Sequence, residues 1–239
     1  MRVYAAGSLR AALTEAAAAF KAQGGAEVQF EFGPSGVLRD RLAKGERADV
    51  FASANMEHPQ ALAASGKAGA VRMFARNRLC ALAPAKAGIT PANLLDRMLD
   101  ANVKLGTSTP KADPSGDYAW QVFERAEKLK PGAYETLSKK ALQLVGGPGS
   151  PAPPPNRTAY ASLVAGGQAD IFLTYCTNAV LAQREEPGLA TIALPDSLAV
   201  GAEYGLVTMN GASAEGEAFA RFLQSPAGQQ VLAAWGFHV

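Results

Sequence analysis

Four short polar residues stand where the sequence pattern predicts a helix to begin: Ser8 in AAGSLRAAL, Ser35 in FGPSGVL, Ser115 in DPSGDYAW and Asn156 in PPPNRTAY. Side-chain oxygens of Ser and Asn accept from the free N–H groups of a first helical turn, so all four are expected as N-caps. The turn itself carries about half a positive charge and up to four unpaired donors. Gly7, Gly33, Gly36 and Gly116 adjoin three of these starts and have no side chain to hold a ligand away. The chemistry this suits is capture of a small anion by neutral donors. Each helix end contributes roughly 0.3 to 2 kcal/mol and each hydrogen bond to the charged group roughly 1.5 to 3 kcal/mol.

Bond-breaking chemistry is poorly provided for. GPSGV has Val37 where a nucleophile elbow needs its last glycine, and neither His58 nor His238 is paired with a serine, so a serine hydrolase is disfavoured. Asp49 and Asp170 open their strands, at the end away from a ligand edge, and read as structural turn or cap groups. The sequence has no H-E-x-x-H, C-x-x-C or EF-hand pattern, so no built-in metal site is expected. Cys80 and Cys176 are too few for a disulfide framework and are expected as two buried free thiols.

The elements that must position these residues come in two similar sets. GERADVFASAN and GGQADIFLTYC share the phrase Gly-x-x-Ala-Asp-aliphatic-Phe, and a shift of 121 residues carries Ser35 onto Asn156, Leu42 onto Leu163, Gly45 onto Gly166 and Asp49 onto Asp170. Each unit reads as a capped helix, a glycine stop supplied by Gly45 or Gly166-Gly167, and a strand covered on both faces. RVYAA followed by LRAALTEAAAAF, and NVKLGTS followed by DYAWQVFERAEKL, give two further strand-to-helix passages with apolar stripes. The pattern predicts two α/β lobes, with candidate residues after strands, at the carboxyl edge where open α/β sheets bind ligands.

The chain has 239 residues, 48% of them hydrophobic and 18% charged, enough for a full core in one large or two smaller domains. With 23 basic and 21 acidic residues, net +2, it carries no footprint for nucleic acid. No apolar run approaches the length of a membrane span. It opens on the strand-like MRVYAAGS, which leaves open a cytoplasmic protein or a secreted one whose signal has been removed.

AAGSLRAALTEAAAAF, FEFGPSGVLRDRLAKGERADVFASAN, RNRLCALAPA, DPSGDYAW, TYCTNAV and FLQSPAGQQVLAAWGF together resemble the molybdate-binding proteins that serve bacterial ABC importers, from Val3 to Phe237. The resemblance implies a two-lobed periplasmic binding protein, type II-like, with a ligand cleft between its lobes and a tetrahedral molybdate or tungstate held by hydroxyls and backbone N–H groups. It implies no enzyme activity, cofactor or protein-bound metal, importer membrane subunits as partners, a monomer, and a periplasmic location. Carried over by motif, the ligand-binding residues are Ser8, Ser35, Ser115, Asn156 or Arg157, and Tyr175. Lobe 1 is expected over 1–82 with 200–239 and lobe 2 over 83–199, because RLCALAP and EYGLVTM read as strands passing between lobes.

This chain departs from that family in three places. Pro34-Ser35-Gly36 replaces a serine-rich run, GGPGSPAPPPNR (146–157) is a longer connection, and Arg157 replaces an apolar residue in what reads as the first turn of a helix. An inward guanidinium would favour a phosphonate or organic acid; the outward orientation is expected, because the helix starts already supply donors. A ferric-binding protein of the same fold needs two neighbouring tyrosinates, and only Tyr175 among the six tyrosines is suitably placed. A regulator's effector domain is disfavoured, since no helix-turn-helix segment precedes the chain.

Overall fold

A computed structural model describes residues 1–151 and 157–238. The chain divides into two compact units, Met1–Asn77 with Ala202–Val239 (unit 1) and Arg78–Gly201 (unit 2). Unit 1 opens with β1 (Arg2–Ala6), α1 (Arg10–Ala22), β2 (Gln29–Gly33), α2 (Ser35–Ala43), β3 (Val50–Ser53) and α3 (Glu57–Ala64). β4 (Arg72–Pro84) runs across the division into α4 (Leu94–Leu99), β5 (Leu105–Ser108), α5 (Pro114–Leu129), α6 (Ala133–Lys140) and β6 (Leu142–Val145). Unit 2 continues with α7 (Ala159–Ala165), β7 (Ile171–Tyr175), α8 (Cys176–Glu185) and β8 (Leu189–Ala193). β9 (Gly201–Thr208) returns the chain to unit 1, which ends in α9 (Ala214–Leu223) and α10 (Pro226–Ala234). Among the described residues no helix is long and apolar enough to cross a membrane.

The fold is mixed α/β, and both units use one strand plan. In unit 1, β1 lies between β2 and β3, parallel to both, and β9 pairs antiparallel to β3. In unit 2, β5 lies between β6 and β7, parallel to both, and β4 pairs antiparallel to β7 and then to β8. The repeated phrases contain the equivalent strands β3 and β7, with Asp49 and Asp170 each standing just ahead of its strand. α2 and α7 both end on a left-handed glycine, Gly45 at φ 102° and Gly167 at φ 71°, a conformation that favours glycine. The Gly45 and Gly167 N–H groups close their turns on Leu42 and Val164, each at 3.1 Å. The connection from glycine to aspartate is one residue shorter in unit 2, so Gly167, rather than Gly166, is the counterpart of Gly45.

Burial matches the apolar spacing. Leu13, Ala16 and Phe20 of α1 are buried, and the Phe20 ring meets Phe219 and Phe222 of α9 at 5.3 and 5.4 Å between centroids. Tyr4, Leu38, Leu42, Phe51, Leu62 and Val207 form a core cluster of unit 1. On α5, Ala119, Val122, Phe123 and Ala126 are all buried. A second cluster in unit 2 joins Leu82, Val145, Val164, Phe172 and Ala182. The strands β1, β3, β5 and β7 thus have covered backbones, and their carboxyl ends anchor the loops and helix starts that come after them.

Candidate functional site

In unit 1, β1 and β2 run parallel with Ala6 opposite Gly33, so Ser8 and Ser35 come directly after adjacent strand ends. Neither is an N-cap as expected. Ser8 lies in a short 3-10 turn, Gly7–Leu9, ahead of α1, and its hydroxyl shares a 3.0 Å hydrogen bond with the Tyr204 hydroxyl. Pro34 holds the cap position of α2 with an extended backbone, moving Ser35 one residue into the helix. The Ser35 hydroxyl is buried and accepts the Ala54 N–H at 3.1 Å, which leaves its own proton to donate. The next connection is tied internally: Ser53 donates to Asn55 Oδ1 at 2.9 Å, and the same oxygen accepts the His58 N–H at 3.2 Å. Tyr204 was not singled out by the sequence. Its signal is the alternation in β9 that buries Tyr204 and Leu206 on one face.

In unit 2 the candidates are Ser115, in the first turn of the helix after β5, and Tyr175, the last residue of β7. Ser115 is also not a cap: Pro114 occupies the first helical position of α5, where its missing N–H costs nothing, and Asp113 before it is the cap, with Oδ1 accepting the Ser115 N–H at 3.0 Å. The Ser115 backbone N–H, one of the donor types that the family resemblance implies for a ligand, therefore already has a partner. The Ser115 hydroxyl has none, although the residue is only 1% exposed. The turn is packed against the preceding loop, where a Cβ at Gly116 would stand 2.6 Å from Pro110 N. Tyr175 is buried at the end of β7, its ring 6.3 Å from that of Tyr118 in an edge-on contact.

Asp113 is the residue that sequence reasoning missed. Burial pushes its carboxyl up to about 6, against the opposing pull of the Ser115 N–H and the Ser108 hydroxyl. Burial, reinforced by the charge of Asp113, raises the Tyr160 phenol to about 12. Nearby, Asn178 donates to Thr174 Oγ1 at 3.2 Å. Asp117, the acceptor nearest Ser115 in sequence after the helix start, takes the Lys111 N–H at 2.9 Å.

The later helix start differs from expectation. Asn156 lies outside the described residues, and the cap of α7 is Thr158, whose Oγ1 accepts the Ala161 N–H at 3.3 Å. The Thr158 N–H in turn donates to both Glu185 oxygens at 3.0 Å. Arg157 consequently precedes the helix instead of standing in its first turn, and its guanidinium is exposed and paired with Glu186.

Cys80 and Cys176 form a disulfide, correcting the expectation of free thiols. β4 and β7 pair antiparallel with Cys80 opposite Thr174, which brings the first residue of α8 within a Cα–Cα distance of 4.8 Å, inside the range a bridge requires.

Asp49 and Asp170 are structural. Each opens its strand and accepts a backbone N–H from the start of the neighbouring strand: Arg2 to Asp49 at 2.7 Å and Lys104 to Asp170 at 2.8 Å. A cavity of about 700 Å³ in unit 1 lies at this end, beside Arg2, Glu46, Arg47, Asp49 and Lys67, away from Ser8 and Ser35. Among the described residues no group of three or more His, Cys, Asp or Glu is arranged to hold a metal ion.

The family model of the bacterial extracellular solute-binding proteins matches residues 1–238. A relative from Pasteurella multocida (strain Pm70), the uncharacterized protein PM1146, is 39% identical over 208 residues, covering 86% of each chain. The molybdate-binding protein ModA of Escherichia coli (strain K12) is 26% identical over 248 residues, covering 99% of this chain and 88% of its own. Among solved structures, the sulfate-binding protein SubI from Mycobacterium tuberculosis H37Rv superposes with a TM-score of 0.83 at 16% identity, over 99% of this chain and 85% of that one. By the span of the family match, this chain belongs to the bacterial extracellular solute-binding proteins.

Proposed function

We propose that the chain is the periplasmic receptor of an ABC importer and that its ligand is a tetrahedral oxyanion, molybdate or tungstate. The observation that carries the reading is the Ser115 hydroxyl, buried without a partner at the start of the 16-residue helix α5. A buried hydroxyl left unbonded costs about 1–3 kcal/mol, and an anion at a helix N-terminus supplies the missing acceptor. In unit 2 Tyr175, the last residue of β7, is a further candidate donor, and in unit 1 Ser8 and Ser35, following β1 and β2, are the donors that the family resemblance assigns. Arg157, exposed and paired with Glu186, is left out of this donor set, which is then neutral as the molybdate reading requires, and the likeness to the Escherichia coli molybdate-binding protein supports the same ligand class. The disulfide suits an oxidising compartment.

The test is a thermal-shift and calorimetric screen of molybdate, tungstate, sulfate, phosphate, a phosphonate and ferric ion, with the Ser115→Ala variant beside the parent. Molybdate or tungstate at 100 times its Kd is expected to stabilise the parent by about 2.7 kcal/mol. Stabilisation by ferric ion alone, or an unchanged molybdate affinity in Ser115→Ala, overturns the reading.

A further inference from the structure

The first turn of α5 has few donors to spare. Pro114 has no N–H, the Ser115 N–H is held by Asp113 Oδ1 at 3.0 Å, and the Gly116 N–H is held by the Asp113 carbonyl at 2.8 Å. An anion that reaches the open Ser115 hydroxyl must share this turn with a carboxylate two residues away. None of the ion pairs among the described residues involves Asp113. The groups that face it are the Ser115 N–H and Asp117 from α5, Ser108 from β5 and Tyr160 from α7. Gly146, after β6, closes over it, since a Cβ there would stand 2.6 Å from Oδ2. The surroundings therefore offer Asp113 a hydrogen bond and a second carboxylate, with no ion pair among the described residues to offset its charge when an anion arrives.

Resting on the proposed oxyanion site, we propose that anion binding at α5 is linked to uptake of one proton by Asp113, which makes Asp113 a specificity-determining residue of the receptor. Protonation removes the opposing charge and loosens the hold on the Ser115 N–H, so both Ser115 donors turn to the ligand. A fully ionised oxyanion draws this proton from solvent. Hydrogen phosphate or a phosphate monoester monoanion carries an acidic proton of its own and can supply it. The balance between these two ligand types shifts with pH. The carboxyl of the unliganded protein titrates at about 6, and the ligand's charge raises that value further.

The experiment is calorimetric titration with sulfate and molybdate at about pH 7, in two buffers of different protonation heat, repeated between about pH 5.5 and 8. Expected are uptake approaching one proton per anion and an affinity that falls towards tenfold per pH unit above about 6. Asp113→Asn, which keeps an N-cap acceptor, is expected to bind without proton uptake and with a flat pH profile. If that variant does not fold, the proton count of the parent decides alone. An anion that binds the parent and is weakened by Ser115→Ala, yet brings no proton, overturns the role of Asp113 and leaves the site standing. Failure of every anion to bind, or an affinity indifferent to Ser115→Ala, overturns the site and this inference with it.

Discussion

The Asp170 carboxylate accepts the backbone N–H of Lys104 at 2.8 Å, as that of Asp49 accepts the N–H of Arg2 at 2.7 Å. Each bond clips the start of one strand to the start of its parallel neighbour, and this is why the phrase Ala-Asp-aliphatic-Phe occurs twice. Asp49 also accepts the Ser213 N–H at 2.7 Å. Asp170→Ala is expected to lower unfolding free energy by about 1.5–3 kcal/mol, the worth of one hydrogen bond to a charged group, and Asp49→Ala by more. Denaturant unfolding measures both. Ligand affinity is expected to stay that of the parent, because both aspartates lie at the strand ends opposite the candidate serines.

Ser115→Ala separates stability from binding. Removing a buried hydroxyl that has no partner is expected to leave the unliganded protein as stable as the parent, or up to about 1 kcal/mol more so. Oxyanion affinity is expected to fall tenfold or more. A drop in unliganded stability of several kcal/mol would show that the hydroxyl serves the fold.

Two titratable groups, the buried His58 and the half-buried Asp113, give opposite pH dependences. His58 is buried with neither ring nitrogen bonded, and burial, assisted by Arg39, pushes its pKa below the ordinary value. The unfolded chain binds that proton more tightly, so the stability from neutral His58 is lost as pH falls below about 6.5. Asp113 is raised to about 6, so the folded chain binds its proton more tightly and stability falls as pH rises from about 4 to 6, by on the order of 3 kcal/mol. Unfolding curves across this range are expected to show His58→Leu losing the first trend and Asp113→Asn the second.

Reduction of Cys80–Cys176 opens a closed loop spanning 96 residues of sequence separation. Chain entropy assigns such a loop about 4 to 5 kcal/mol. Denaturation with and without a phosphine reductant, alongside a thiol count, measures the loss. No change in midpoint after two thiols appear would contradict the bond's role in stability.

Arg157→Ala is expected to change stability by less than about 1 kcal/mol, as for other exposed ion pairs, and to leave oxyanion affinity unchanged. A tenfold affinity loss would move the guanidinium into the binding site.

The parts of the fold legible in the sequence are those set by local spacing. The stripe on α1, the stripe on α5 and the glycine stops at Gly45 and Gly167 arise from helical geometry alone. Helix starts were displaced by a competing local rule: a proline takes the first helical position, so the residue before it becomes the cap, as Asp113 does ahead of Pro114, while Pro34 itself fills the cap position ahead of Ser35. The environment of Asp113 depends on Gly146, over thirty residues away, and on Tyr160 of α7. The disulfide depends on the antiparallel pairing of β4 with β7. Neither long-range relationship leaves a mark in local sequence pattern.

A chain with two cysteines has a single intramolecular pairing open to it, so oxidation of this protein cannot scramble into isomers. Cys80 nevertheless stands 96 residues ahead of its partner, so in a chain delivered to an oxidising compartment from its N-terminal end it arrives first. Until Cys176 follows, a second chain offers the nearest competing thiol. The hazard of oxidation before Cys176 comes within reach is a covalent dimer through Cys80, and dilution or a thiol that exchanges with the intermolecular bond is the remedy the connectivity dictates.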